Sequence, residues 1–595
     1  MTGPKELRKE TLKGKAIRWS SDKSKIRNRG CFSLGRIARI LSMPKVMQLD
    51  PRDNVLIALE DLPAGETVWL GERSWTLATS VPCKHKFLIQ ARQPGDPVLM
   101  YGVLVGRARE PIPAGAVLTV ANLQHDSSDF SSNRTLQAEP IALPWNLGAW
   151  REKEFHGYHR ADGQVGTRNY WLVIPLVFCE NRNIATLREA FEQELGFAAP
   201  SRYRRQVAHL ARLYREGQAD WSATADVTEL QTNLKDTPPR LFERVDGLRF
   251  LMHEGGCGGT REDARNLCAL LAGYIHHPNV AGATVLSLGC QHSQAAILME
   301  ELHKRDATFD KPLVMLDQQA VGTESALMDR AIRETFAGLV QANRCRREPA
   351  PLSSLTLGLK CGGSDGFSGI SANPSIGYTS DLLVALGGKT ILAEFPELCG
   401  VEQSIVDRCL TQESADRFVA LMRDYAARAR AVRSGLEMNP SPGNIQDGLI
   451  TDAMKSAGAA RKAGTAPVAA VLDYPEYAVK PGLNLLCTPG NDVECVTGEG
   501  GAGSSIVLFT TGLGTPTGNP IAPVVKISTN TPLARRMPDI IDIDTGPIIT
   551  GEVTIEQMGE QILSKVVEVA SGSVRTCAEQ LGQNDFIPWK RGVSL

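Results

Sequence analysis

Hydrophobic and polar positions change their rhythm twice along the chain. Between residues 47 and 125, short β-branched runs such as "VLIAL", "TVWLG", "KFLIQ" and "VLTVANL" are separated by the turn signals "LPAGE", "QPGDP" and "IPAGA". Runs of that length broken by Pro–Gly punctuation predict a small β-rich module. A Ser-, Asp-, Asn- and Pro-rich linker follows over 126–152. From 157 onward, apolar strand-like runs alternate with helical stretches such as "TREDARNLCALLAGYIHH" and "SADRFVALMRDYAARARAVRSG". Alternation of that kind predicts an α/β fold with a mostly parallel sheet and helices on both faces. One α/β domain is expected over 153–350, with an Arg-rich helical insertion near 185–245. A second is expected over 351–595, where Gly/Pro-rich loops are densest at 436–520.

Five of the strand-like runs end in the same chemistry: "DGLRFLMHEGGCGG", "ATVLSLGCQHS", "LTLGLKCGGSDG", "KTILAEFPELCG" and "LNLLCTPGND". Each closes on a cysteine beside glycine, with Asp, Glu, His or Ser close by. Ligands of parallel α/β sheets bind at the carboxyl ends of the strands, so Cys257, Cys290, Cys361, Cys399 and Cys487 are expected on one face. Cysteine is also among the most buried residue types, and a shared place in the core is the plainer alternative. If the group is functional, three uses are open: a thiolate nucleophile, a metal or Fe–S ligand, or a small soft pocket wall. His253 and His292 are near enough in sequence to partner a thiolate.

Other motifs add polar chemistry. "HRADGQVGTRN" gathers Arg160, Arg168 and Asn169 just before a strand, where an arginine can hold a carboxylate in bidentate fashion or form an ordinary salt bridge. "HEGGCGG" offers His253 and Glu254 as acid/base groups. "NPSPGN", "TPGND" and "GTPTGNP" present small amides and hydroxyls on tight turns, which suits a polyhydroxylated ligand and equally suits plain turns. "GEGGAGSS" lacks the GxxxxGK[ST] signature, so nucleotide binding is not supported.

Composition narrows the classes. Hydrophobic residues make up 42% and charged residues 22% of 595 positions, which reads as a globular chain of two or three domains. No apolar run reaches the ~18–20 residues of a membrane helix. The net charge of −1 gives no general attraction to nucleic acid. Residues 1–46 nevertheless carry 13 Lys or Arg against three acids, a net +10, leaving −11 on the remainder. Such a basic leader fits a transit peptide, a nucleic-acid tail, or a start codon placed too early, with Met43 or Met47 the true start. The last is preferred because the domain pattern begins only at "MQLDPRDNVLIALEDL". Scattered single cysteines point to a reducing compartment. The ten histidines end at His303, so a metal site built from the second half draws on Cys, Asp, Glu or main-chain oxygen, or borrows histidine from the first half.

Seven motifs, in order, resemble the altronate/galactarate dehydratase family over nearly the whole chain from about Leu56. They are "GYHRADGQVGTRNYW", "HEGGCGGTREDA", "GYIHHPNVAGATVLSLGCQ", "LKCGGSDGFSGISANPSIG", "AEFPELCGVEQ", "NPSPGN" and "LFTTGLGTPTGNPIAPVVKISTN". The resemblance implies an N-terminal SAF-type β module, a larger α/β portion, and a divalent metal, Fe²⁺ or Mn²⁺. It further implies a cytoplasmic hydro-lyase, with neither nucleic acid nor membrane as partner, that assembles as a homo-oligomer. The chemistry implied is loss of water from a sugar acid, D-altronate to 2-dehydro-3-deoxy-D-gluconate, through an enediolate. Galactarate dehydration, a sulfolactate-type lyase and a sugar-acid sensor are the alternatives. One departure stands out: where family modules carry V-H-x-H-N, this chain has "LTVAN" at 118–122, leaving His85 as the module's best candidate.

Carried onto this chain, the acid/base candidates are His85, His253, Glu254 and Lys526. Arg160, Arg168, Asn169, Ser364, Asp365 and Asn444 are the candidates for the substrate. Cys361, Asp365 and Glu394 are the candidates for the metal.

Overall fold

The computed structural model describes residues 44–135, 147–198, 202–217 and 239–594. The expected leader, apart from 44–46, lies outside these residues, as do parts of the expected linker and helical insertion.

The N-terminal module is built from β1 (Val46–Met47), β2 (Val55–Ala58), β3 (Thr67–Leu70), β4 (Arg73–Thr76), β5 (Lys86–Leu88), β6 (Pro97–Met100), β7 (Val103–Ala108) and β8 (Leu123–Gln124). They pair antiparallel as β1-β2-β5, β3-β4 and β6-β7-β8. Gly65, Gly95 and Gly115, one from each Pro–Gly turn, take φ of 80°, 88° and 78°. Only glycine enters that region without strain. The module's core, including Val55, Leu88, Val98 and Val105, continues into Phe367, Ile370, Ala453 and Met454. The module is therefore packed onto the C-terminal part.

The rest is α/β, as the alternating pattern predicts. A small antiparallel sheet joins β9 (Glu154–His159), β10 (Val165–Gly166) and β15 (Arg347–Pro351) in the order β10-β9-β15. β11 (Tyr170–Pro175), β12 (Gly247–Phe250), β13 (Val280–Ser287) and β14 (Leu313–Asp317) make a four-stranded parallel sheet in the order β12-β11-β13-β14. A seven-stranded parallel sheet follows: β16 (Thr356–Cys361), β17 (Lys389–Leu392), β18 (Val468–Leu472), β19 (Gly482–Leu486), β20 (Ile506–Thr511), β21 (Val524–Ser528) and β22 (Ile543–Asp544). Its order is β18-β19-β17-β16-β20-β21-β22. Every residue of β13, β16, β20 and β21 is buried. Helices cover both faces of such sheets, which is why these strands read as continuous apolar runs.

Two parallel sheets overturn the expectation that five cysteine-ending strands share one face. Cys257 and Cys290 follow β12 and β13 of the smaller sheet, whereas Cys361, Cys399 and Cys487 belong to the larger one. Local sequence shows how a strand ends but not which sheet it joins.

Candidate active site

At the carboxyl edge of the seven-stranded sheet, side chains from separate loops form a buried ionic cluster. β16 delivers Lys360 and Cys361. The turn after β17 delivers Glu394, whose backbone is left-handed at φ 67°, ψ 60°. A non-glycine residue held there costs on the order of 1 kcal/mol and persists only where its surroundings fix it. One turn later comes Glu397, then Lys455 and Lys462 from the helical segment 452–463. The Lys462 ammonium donates to Cys361 Sγ at 2.9 Å and to Glu394, and lies 3.8 Å from Glu397. Lys360 pairs with Glu394 and, at 2.9 Å, with Asp492; Lys455 pairs with Glu397 at 2.9 Å. Burial pushes the Cys361 thiol up to about 12, so it is a protonated donor to Glu397 at 3.0 Å. Burial opposes the charge on Glu397, but Lys455, Lys462, Lys360 and the Cys361 hydrogen bond together outweigh it and bring the carboxyl down to about 2.

Cys361, Glu394 and Glu397 present ligand atoms within 4.8 Å of one another, as do Asp162, His276 and Asp306. Either group is close enough to share a divalent cation. In the first group the spacing suits an ion but the charge does not. Three ammoniums already balance Glu394, Glu397 and Asp492, and Lys462 touches all three ligating side chains. A resident metal does not fit that seat as it is built.

Toward the N-terminal module, Lys84 bridges Asp365 and Asp447 at 3.0 Å each. It borders a cavity of about 400 Å³ also lined by Phe367, Asn530 and Arg536. Asp365 is corrected here as a metal candidate. Its carboxylate accepts from Ser368, Thr529 and Asn530 as well as Lys84, and Glu397 takes the place expected of it beside Cys361. Asn444 closes the capping box that Ser441 opens on the helix Pro442–Gln446 and donates to Ser364 O at 2.7 Å, while Ser364 Oγ is buried with no hydrogen-bond partner. His85 is half-buried, and burial lowers its pKa. Lys526 lies inside the larger sheet, 4.2 Å above the Phe509 ring. It donates to Thr515 O at 2.7 Å and to Thr517 O. Burial brings it down to about 7.

A larger cavity, about 570 Å³, opens between the two parallel sheets. His253, Glu254, Cys257 and His292 line it from the smaller sheet's edge. Tyr474 and Glu494 line it from the larger sheet, and Phe586–Lys590 from the C-terminal segment. His253 donates from Nε2 to Pro175 O at 2.7 Å and accepts from Gly255 N at Nδ1. Burial brings its ring down to about 4, which keeps it neutral. Both nitrogens are thus committed to the loop. Glu254 is exposed to the cavity, and His292 Nδ1 is buried without a hydrogen-bond partner.

Arg160, Arg168 and Asn169 lie elsewhere. They precede Tyr170, the first residue of β11, and so sit at the amino end of the sheet. Arg168 grips Glu579 through two bonds of 2.8 and 2.9 Å. Arg160 donates to Pro278 O, and Asn169 to Arg244 O and Ala342 O. Their polar groups are spent on clamping chain segments, and the structure brings them to neither cavity. Glu397, Lys360, Lys455, Lys462 and Lys84 were missed, and His292 was read only as a partner for a thiolate. Their partners come from distant loops, and only His292 had a local signal, a strand end shared with Cys290.

Comparison with known proteins identifies this architecture. Residues 44–126 match the altronate/galactarate dehydratase SAF domain. Residues 157–343 match the D-galactarate dehydratase/altronate hydrolase second domain, and 352–594 the D-galactarate/altronate dehydratase C-terminal domain. The chain belongs to the altronate/galactarate dehydratase family. It is 33% identical to the altronate dehydratase of Escherichia coli (strain K12), over 91% of this chain and 98% of that protein. Identity to the altronate dehydratase of Bacillus subtilis (strain 168) is 32%, over 93% and 100% of the two chains. The galactarate dehydratase (L-threo-forming) of Escherichia coli (strain K12) is 29% identical over 89% and 93%. The chain is accordingly a sugar-acid dehydratase, a hydro-lyase.

Proposed function

We propose that the chain removes water from D-altronate, giving 2-dehydro-3-deoxy-D-gluconate, in the cavity between the two parallel sheets. The observation that carries the choice is the count of cations in that cavity, which Glu254, Asp263 and Glu494 also line. Among the described residues that line it, Lys590 is the one Lys or Arg. One ammonium suits a substrate with one carboxylate; an aldarate such as galactarate would leave its second carboxylate uncompensated. The volume admits a six-carbon acid.

The proton at C2 is weakly acidic because a carboxylate adjoins it, and charge grows on that carboxylate as the proton leaves. Lys590 faces this charge and lowers its cost. His292, with Nδ1 uncommitted, takes the proton, and Glu254 delivers one to the departing C3 hydroxyl. His253 holds the loop that carries Glu254.

The test is to incubate the purified protein with a panel of aldonates and aldarates and trap 2-keto acids with semicarbazide. Keto acid from altronate and none from galactarate is expected. Product from galactarate alone would overturn the substrate choice, and no product from any sugar acid would overturn the reaction.

A further inference from the structure

Three exposed cysteines lie along the carboxyl edge of the four-stranded sheet: Cys179, Cys257 and Cys290. One follows each of the three adjacent strands β11, β12 and β13, with β11 in the middle. Each precedes a helix: Asn181–Glu194, Arg261–His276 and Ala295–Arg305. The three loops are bonded to one another. Phe178 N donates to Gly255 O at 3.1 Å, and His292 N and Ser293 N donate to Gly256 O at 2.9 and 3.1 Å. Every cysteine is within two residues of one of these bonds. Gly256 makes the contact possible: a Cβ there would lie 2.2 Å from Leu176 O, and its φ is 102°.

Two further observations point to an absent ligand. His292 Nδ1 and Asn181 Oδ1, each two residues from one of the cysteines, are buried without a hydrogen-bond partner. Buried polar atoms are seldom left so. In contrast to the Cys361 group, whose thiol is held by Lys462 and Glu397, no hydrogen bond is recorded at these three sulfurs among the described residues. A soft three-sulfur set selects iron–sulfur clusters over a hard ion held by oxygen.

We propose that Cys179, Cys257 and Cys290 ligate three irons of a [4Fe–4S] cluster whose fourth iron, without a cysteine, faces the cavity between the sheets. Cys257 and His292 line that cavity. The fourth iron is then open to an oxygen of the sugar acid. The seat stands on geometry alone, and its part in dehydration rests on the reading above.

The test uses the full chain, isolated without oxygen and reconstituted with Fe²⁺ and sulfide. About four irons and about four acid-labile sulfides per chain are expected. Brief exposure to air should give the electron paramagnetic resonance signal of a [3Fe–4S] cluster, because the iron without a cysteine leaves first. C179S, C257S and C290S should each lower bound iron and sulfide several-fold, while C577S retains both. Circular dichroism establishes that each variant is folded. A single metal ion without sulfide, or a cluster that survives all three substitutions, would overturn the proposal. Altronate dehydration by sulfide-free protein would overturn the cluster and leave the dehydratase reading intact; a full cluster with no keto acid from any sugar acid would do the reverse.

Discussion

The carboxyl edges of the two parallel sheets are built from the same grammar, apolar strand, cysteine, glycine, helix, yet they have opposite character. At the seven-stranded sheet the loops close over Lys360, Cys361, Glu394, Glu397 and Lys462, all buried and bonded to one another. At the four-stranded sheet the cysteines are exposed, His292 Nδ1 has no partner, and a 570 Å³ cavity opens beside them. Uncommitted groups next to a cavity can act on a ligand, whereas committed ones mainly hold shape. The closed edge should therefore answer to substitution in stability and the open edge in turnover.

The largest effect is expected at the closed edge. Lys462→Met leaves Glu394 and Glu397 short of one ammonium in a buried site, and breaking such a network costs about 3–5 kcal/mol. Urea unfolding would show this as a lower midpoint. K462M combined with E394Q should recover part of the loss, because the unpaired carboxylate goes with the ammonium. A single variant as stable as the parent would break the comparison.

Next in size is His292→Ala at the open edge. Loss of a proton-transfer group should lower kcat on altronate about 10²-fold, equivalent to about 2.7 kcal/mol. The unfolding midpoint should stay within about 0.5 kcal/mol of the parent. A stability loss as large as that of K462M, with turnover unchanged, would reverse the roles assigned to the two edges.

Much of this contrast was hidden from the chain read alone. Strand existence was legible from runs such as "VLSLGC" and "LTLGLKC", and the module from its Pro–Gly turns. Sheet membership was not, because hydrogen-bond partners in a parallel sheet lie far apart in sequence. Cys179 escaped notice because "PLVFCEN" has no glycine beside the cysteine. Arg168 and Asn169 fall away from both cavities because residues just before a parallel strand lie at its amino end. Lys360 and Lys462 look like ordinary surface lysines in sequence. Only the fold brings them to one carboxylate.

The smallest expected effect tests how complete the closure is. Glu402 opens the helix Glu402–Arg408 at the closed edge and is buried. It accepts Gly400 N at 2.7 Å, a backbone donor in place of the ammoniums that hold Glu394 and Glu397. Burial raises its carboxyl from 4.5 to about 7, against the smaller pull of backbone N–H groups. Between those two values the folded chain holds a proton that the unfolded chain has released. Stability contributed by this group therefore falls as pH rises from 4.5 to 7 and is level above that. Glu402→Gln keeps an oxygen for Gly400 N and removes the titration. The variant should be more stable than the parent at pH 8 and no more stable at pH 4. Unfolding midpoints of both proteins across that range provide the measurement. Parallel pH profiles would mean that Glu402 is compensated after all, and that the closed edge is paired throughout.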